Sequence, residues 1–108
     1  MSSVEIFLRA LAKQKDLGIS PRFAILLVLM LYGKLRFSRL YKMLHMTPGN
    51  LKSHILALEK YGYVISTRTF YRGNLALVIE ITPRGVERVQ DLAKTLLTVL
   101  SKVRRDNG

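Results

Sequence analysis

Apolar residues recur along this chain at two spacings, and the change of spacing divides it. Val4, Phe7, Leu8 and Leu11 stand at i, i+3, i+4 and i+7. That is one helix face, so residues 3–15 are predicted to form an amphipathic helix. Leu17-Gly18 ends it. Ser20-Pro21 then has the form of an N-cap followed by proline at the first helical position. The helix it opens runs through Tyr32 and is apolar nearly all round, which suits the middle of a core. Gly33 stops it. Leu35-Arg36-Phe37 is short enough for a brief strand. Ser38 is placed to cap a helix from Arg39 to about His45, with Leu40, Met43 and Leu44 facing inward. Thr47-Pro48 repeats the cap-then-proline signal. Leu51, Ile55 and Leu58 predict a further helix from Pro48 to Tyr61, closed by Gly62.

From Tyr63 the period shortens to two. Residues 63–72 are rich in Tyr, Val, Ile, Thr and Phe, and Leu75, Leu77, Ile79 and Ile81 alternate. Gly73-Asn74 between them reads as a tight turn, giving a β-hairpin. Thr82-Pro83 is a third helix start. In the helix it opens, Val86, Val89, Ala93, Leu96, Leu100 and Val103 recur at three- and four-residue steps, and the tail from Arg104 is expected to fray. All three prolines follow a Ser or Thr at a predicted helix start, so local and global signals agree. The order is helix, helix, strand, helix, helix, hairpin, helix. That is an α+β, mainly α chain read as one domain, 1–108. Its helix-turn-helix falls at about 38–61, its hairpin at about 63–81 and its last helix at about 83–103.

Composition narrows the function. Of 108 residues, 49% are apolar, enough for one core without staples. There is no cysteine, hence no disulfide framework and no cysteine metal site, which fits a reducing cytoplasm. MSSVEIFLRA lacks a basic region followed by an apolar one, so no secretory signal is expected. The longest apolar run, Phe23 to Tyr32, is far shorter than the roughly 20 residues of a membrane span. Net charge is +11, and it is unevenly distributed. Lys34, Arg36, Arg39, Lys42, Lys52, Lys60, Arg68 and Arg72 face one acid, Glu59, so this middle segment is +7, while residues 1–33 and 73–108 are each +2. A solvated surface would be the bland explanation. Clustering of this kind points instead to a polyanion, and first to nucleic acid.

Two short helices joined by a tight turn and followed by a hairpin are the winged helix-turn-helix arrangement. The residues also resemble the small winged-helix transcriptional regulators of the MarR, PadR and ArsR type. The similarity is greatest to a compact bacterial and archaeal group marked by Phe37, Leu40, Leu44, Thr47, Gly49, Asn50, Leu51, His54, Ile55, Leu58, Glu59, Gly62, Tyr63 and Val64, with ITPRGVE after the hairpin. It covers about residues 35–87. It implies a recognition helix, Pro48 to Tyr61, in the major groove of double-stranded DNA, and a hairpin acting as a wing.

Helix geometry supports that placement independently. With Leu51 at the centre of the buried face and about 100° per residue, Gly49, Asn50, Ser53, Ala57 and Lys60 fall on the far side. Small and short polar side chains suit close approach and base edges. Asn50 can pair with adenine and Ser53 with several bases. Thr47 and the first-turn N–H groups can meet a phosphate, with Pro48 beside them among the DNA-binding candidates; for Thr47 a plain N-cap is the competing role. Arg39, Lys42, Lys52 and Lys60 are candidates for backbone phosphates. His54, near the edge of the buried face, suits packing or a phosphate rather than a base. On the wing, Arg72 beside the turn and Arg68 below it are candidates for the backbone or minor groove. The chain departs from its relatives there: Leu75, Ala76, Leu77 and Val78 follow the turn where further arginines are common, so this side of the wing either contacts DNA weakly or packs on the protein.

The last helix carries a second apolar set, Leu92 and Val99, beyond the stripe that its own domain can bury. With Phe7 and Leu11 it is expected to form a two-fold homodimer; the alternative is that both stripes pack internally. Nothing indicates catalysis, a cofactor or a metal. His45 and His54 are the only histidines, and there is no phosphate-binding loop and no nucleophile–base signature. No residue nominates a small-molecule effector, although an apolar cleft at a dimer interface could hold one. Three readings stand: a sequence-specific transcriptional regulator, an architectural chromatin protein with little base preference, and a winged-helix module that binds protein. The charge of the middle segment weighs against the third.

Overall fold

The computed structural model describes residues 20–107. The predicted helix over 3–15, with Phe7 and Leu11, lies outside them. Four helices and one three-stranded antiparallel sheet follow in the order α1 (Pro21–Tyr32), β1 (Lys34–Arg36), α2 (Phe37–Met43), α3 (Pro48–Lys60), β2 (Val64–Tyr71), β3 (Asn74–Ile81) and α4 (Pro83–Asn107). The sheet order is β1-β3-β2, so the hairpin's second strand is central.

Ser20 caps α1 as expected, its hydroxyl accepting from the Phe23 N–H at 3.2 Å. Ala24, Ile25, Leu26, Val28 and Leu29 are buried. The last turn is not: Met30, Leu31 and Tyr32 are exposed. The core joins α1 to Leu40 and Leu44, to Leu51, Ile55 and Leu58 of α3, and to Leu35, Val64 and Ile79 of the sheet.

Three local expectations are corrected. Ser38 does not cap α2. The helix starts two residues earlier than Arg39, at Phe37, with Arg36 as an N-cap whose side chain makes no capping bond. Arg36 is still extended because it pairs with Val78 across β1 and β3, and the Phe37 ring is already helical, lying edge-on to Tyr41 one turn later at 5.8 Å. The hairpin turn is centred on Arg72-Gly73, not Gly73-Asn74. Tyr71 pairs with Asn74, and both central residues have positive φ, 54° and 84°, the requirement of the tight turn whose twist matches its strands. Finally, the chain end expected to fray is helical to Asn107.

The start of α4 is riveted to the end of α3. Thr82 Oγ1 accepts from the Gly85 N–H at 3.0 Å and donates to the Gly62 carbonyl at 2.6 Å. Its N–H donates to the Tyr63 carbonyl at 3.0 Å. Gly85 completes the fit: a Cβ there would fall on the Tyr63 carbonyl oxygen and lie 2.8 Å from Ile81 Cγ1.

Candidate nucleic-acid interface

The helix-turn-helix is closed by a short turn. The Met46 N–H donates to the Tyr41 carbonyl at 2.9 Å, and His45 takes a φ of 54°. Thr47 then caps α3, accepting from the Asn50 N–H at 3.2 Å. Leu51, Ile55 and Leu58 bury one face of α3. Both flanks of that face are held. On one side His54 Nδ1 accepts from Arg22 Nε at 3.3 Å, tying α3 to the first turn of α1. On the other, Ser66 Oγ donates to Glu59 Oε1, tying it to β2. The only acid of the basic middle segment therefore holds the helix against the sheet.

Burial, and after it the Arg22 guanidinium, pushes the His54 pKa below its ordinary 6.5. The ring is neutral at neutral pH. With Nδ1 accepting, the proton sits on Nε2.

Between these flanks the outward face is open. Gly49, Asn50, Lys52, Ser53, Leu56 and Lys60 are exposed. Its centre line is Gly49, Ser53, Leu56 and Lys60, at steps of four, three and four. Ala57, placed on the far side from the sequence, is half-buried. Leu56, 55% exposed, takes the central place. Gly49 needs no unusual backbone, and a Cβ on it would meet nothing within 4 Å.

A second feature gathers residues that the sequence keeps apart. Lys34 and Arg36 of β1, Arg39 and Lys42 of α2, and Arg72 of the hairpin tip line one open cleft of about 820 Å³. The lining contains five cations and no carboxylate. A smaller groove of about 470 Å³ beside Tyr63 and the start of α4 carries Glu87 and Asp91 as well as Arg84 and Arg88. Only the first has the charge pattern of a phosphate track.

Arg39, Lys42 and Arg72 thus converge. Thr47, Pro48, Gly49, Asn50, Lys52, Ser53 and Lys60 share α3, while His54 is turned to its flank. Arg68 is exposed on β2, opposite Leu77, outside the cleft. Past the turn the hairpin's two halves differ. Val78 is buried and Leu77 half-buried, but the tip pair Phe70 and Leu75, directly opposed in the ladder, is exposed. Sequence reasoning passed over Lys34, Arg36, Arg22 and Leu56. The first two were visible as charge. Arg22 and Leu56 needed the orientation of α3.

A buried-face helix held on both flanks, a two-stranded wing and a basic cleft define a winged helix-turn-helix protein. The chain belongs to the winged helix DNA-binding domain family, whose profile matches residues 21–100. It is similar to a transcriptional regulator homologue from Pyrococcus horikoshii, with 32% identity and a TM-score of 0.73, covering 93% of this chain and 97% of that one. Its fold is also that of a mutant MarR from Escherichia coli solved with operator DNA, at 17% identity and a TM-score of 0.60, covering 92% and 84%. An uncharacterized Methanocaldococcus jannaschii protein, MJ0432, is 34% identical over 58 residues, and the match spans 52% of this chain and 63% of that relative's length. Family and fold are those of DNA-binding transcriptional regulators, not of an enzyme. Among the described residues no helix is long and apolar enough to cross a membrane.

Proposed function

We propose that the protein is a cytoplasmic, dimeric regulator that binds specific duplex DNA and represses by steric block. Residues 38–61 are its helix-turn-helix, 63–81 its wing and 83–103 its dimerisation helix. The observation that carries this reading is the open face of α3, small and polar along its first turns and basic at its end, on a helix fixed at both flanks. Asn50 and Ser53 read base edges in the major groove. The cleft lined by Lys34, Arg36, Arg39, Lys42 and Arg72 takes the phosphate backbone beside the wing, with Lys52 and Lys60 on further phosphates. On α4, Val89 is buried, Leu92 and Ala93 are half-buried, and Leu96, Leu97, Val99 and Leu100 are exposed. That exposed stripe is the surface for a second copy. Two recognition helices would then address half-sites about 34 Å apart.

The test is binding to duplexes recovered from a randomised pool and to random duplexes, across salt concentrations. The expected result is a large specificity ratio and a steep loss of affinity with salt. Arg72→Ala or Lys52→Ala lowers affinity for all sequences and flattens the salt slope, whereas Asn50→Ala relaxes sequence preference. Full specificity in Asn50→Ala and Ser53→Ala would remove these residues from the reading face. The small number of base-reading side chains beside a five-cation cleft favours one second reading, an architectural protein, and a specificity ratio near one would establish it. Sedimentation at micromolar concentration tests the dimer; a monomer alone rejects it.

A further inference from the structure

The open stripe of α3 holds one side chain that hydrogen bonding does not explain. Leu56 lies about 140° round the helix from Leu51, between Ser53 and Lys60, and is 55% exposed. The residues that tie the helix to the body, His54 and Glu59, lie to either side of this stripe. An isolated exposed leucine is ordinary on a protein surface. Here it sits within the face read as entering the groove, about 40° from its midline, and a single side chain is too small for a protein-docking patch. The major groove offers one apolar group, the 5-methyl of thymine.

Gly49 points the same way. It lies about two turns before Leu56 on the same line. Neither its backbone nor any described neighbour demands a glycine, so its smallness leaves the helix open to a body outside the described residues. A close approach there brings the middle of the stripe to the depth of the base edges.

We infer that Leu56 reads thymine, packing its isobutyl group on the 5-methyl next to the base pair addressed by Ser53. This rests on the reading of α3 as the groove-entering helix. Each half-site then requires a thymine at that step, and cytosine or uracil is a poor substitute because neither carries the methyl.

The experiment uses the full chain and a duplex that it enriches from a randomised pool. Each thymine of the half-site is replaced in turn by deoxyuridine, which removes the methyl and leaves the pairing edge unchanged. The wild-type protein is expected to lose about fourfold in affinity at one step per half-site, the scale of one methyl group removed from water. Leu56→Ala binds the thymine and deoxyuridine duplexes equally at that step, and Leu56→Met, which keeps an apolar contact, retains the difference. Thermal melting of both variants checks the fold. Tight binding by the wild type with no deoxyuridine effect at any step overturns the inference and leaves the groove placement standing. An effect that persists undiminished in Leu56→Ala overturns it too, since another group then reads the methyl. Failure to enrich any sequence overturns the inference together with the sequence-specific reading of α3 on which it rests.

Discussion

Two helices in this chain begin with Thr-Pro and carry a glycine in their first turn, and the two glycines do opposite things. In α4, Gly85 is jammed against the Tyr63 carbonyl and Ile81. The protein's own packing demands it. In α3, Gly49 faces open space, and none of the described residues demands a glycine there. Similar caps, Thr82 and Thr47, start both helices. The difference lies in the surroundings: the rest of the molecule crowds Gly85, whereas among the described residues nothing approaches Gly49. A glycine early in a helix can therefore be required by internal packing, as at Gly85, or be left unexplained by it, as at Gly49.

The comparison breaks most readily at Gly85. Gly85→Ala should destabilise the fold by about 2–3 kcal/mol, because the clash is with backbone and cannot relax by a rotamer change. An unchanged melting temperature would mean that the joint between α3 and α4 is loose. Next come the caps. Thr82→Ala removes a cap and a bond to the Gly62 carbonyl and should cost about 1–2 kcal/mol; Thr47→Ala removes a cap alone and should cost about 1 kcal/mol. Denaturant melts of the two variants side by side measure the gap, and equal costs would deny Thr82 its second role.

Gly49→Ala should have the opposite sign. Alanine is the better helix former, so the fold should gain roughly 0.5–1 kcal/mol. DNA affinity should fall by about tenfold or more, roughly 1.4 kcal/mol. A variant that is both more stable and equally tight in binding would show that Gly49 serves no partner.

The smallest effect concerns pH. The folded state holds the His54 pKa below 6.5, so the neutral ring is the form that folding favours. Its contribution is complete above the unfolded value of about 6.5 and is lost as pH falls from there through the lowered folded value. Melting temperature should therefore drop slightly on acidification in this window. In His54→Gln that part of the drop should vanish. A wild-type curve that superimposes on that of His54→Gln would mean that His54, through its burial and its Arg22 contact, carries no linkage.

Much of the fold was legible because its signals are local. Ser20, Thr47 and Thr82 announce their helices, and each makes the cap bond expected of it. The alternation from Leu75 to Ile81 sets the hairpin. Where the reading slipped, a neighbouring strand decided. Pairing between β1 and β3 keeps Arg36 extended and moves the start of α2 off Ser38. Pairing of Tyr71 with Asn74 moves the turn by one residue, against the usual preference for glycine or asparagine, so that Arg72 occupies a left-handed position. The candidate interface was half legible. Its polar residues on α3 follow from angular steps alone. The cleft does not, because Lys34 and Arg72 are far apart in sequence and meet only through the sheet. Leu56 escaped because an apolar residue in an apolar-rich helix is ordinarily assigned to the core.

The joint at Thr82 also limits how the molecule can move. Two hydrogen bonds from Thr82 and the Gly85 contact tie the start of α4 to Gly62 and Tyr63, just past the end of α3. Helix α4 spans 25 residues, about 37 Å, so it behaves as a rigid arm fixed to the reading head. If two copies clasp along the outer parts of these arms, the pair works as a caliper. A change of about 10° in the angle at which the arms cross would swing a 37 Å arm by roughly 6 Å at its end. The spacing of DNA that the pair can grip is then set far from the DNA, by leucines that never touch it.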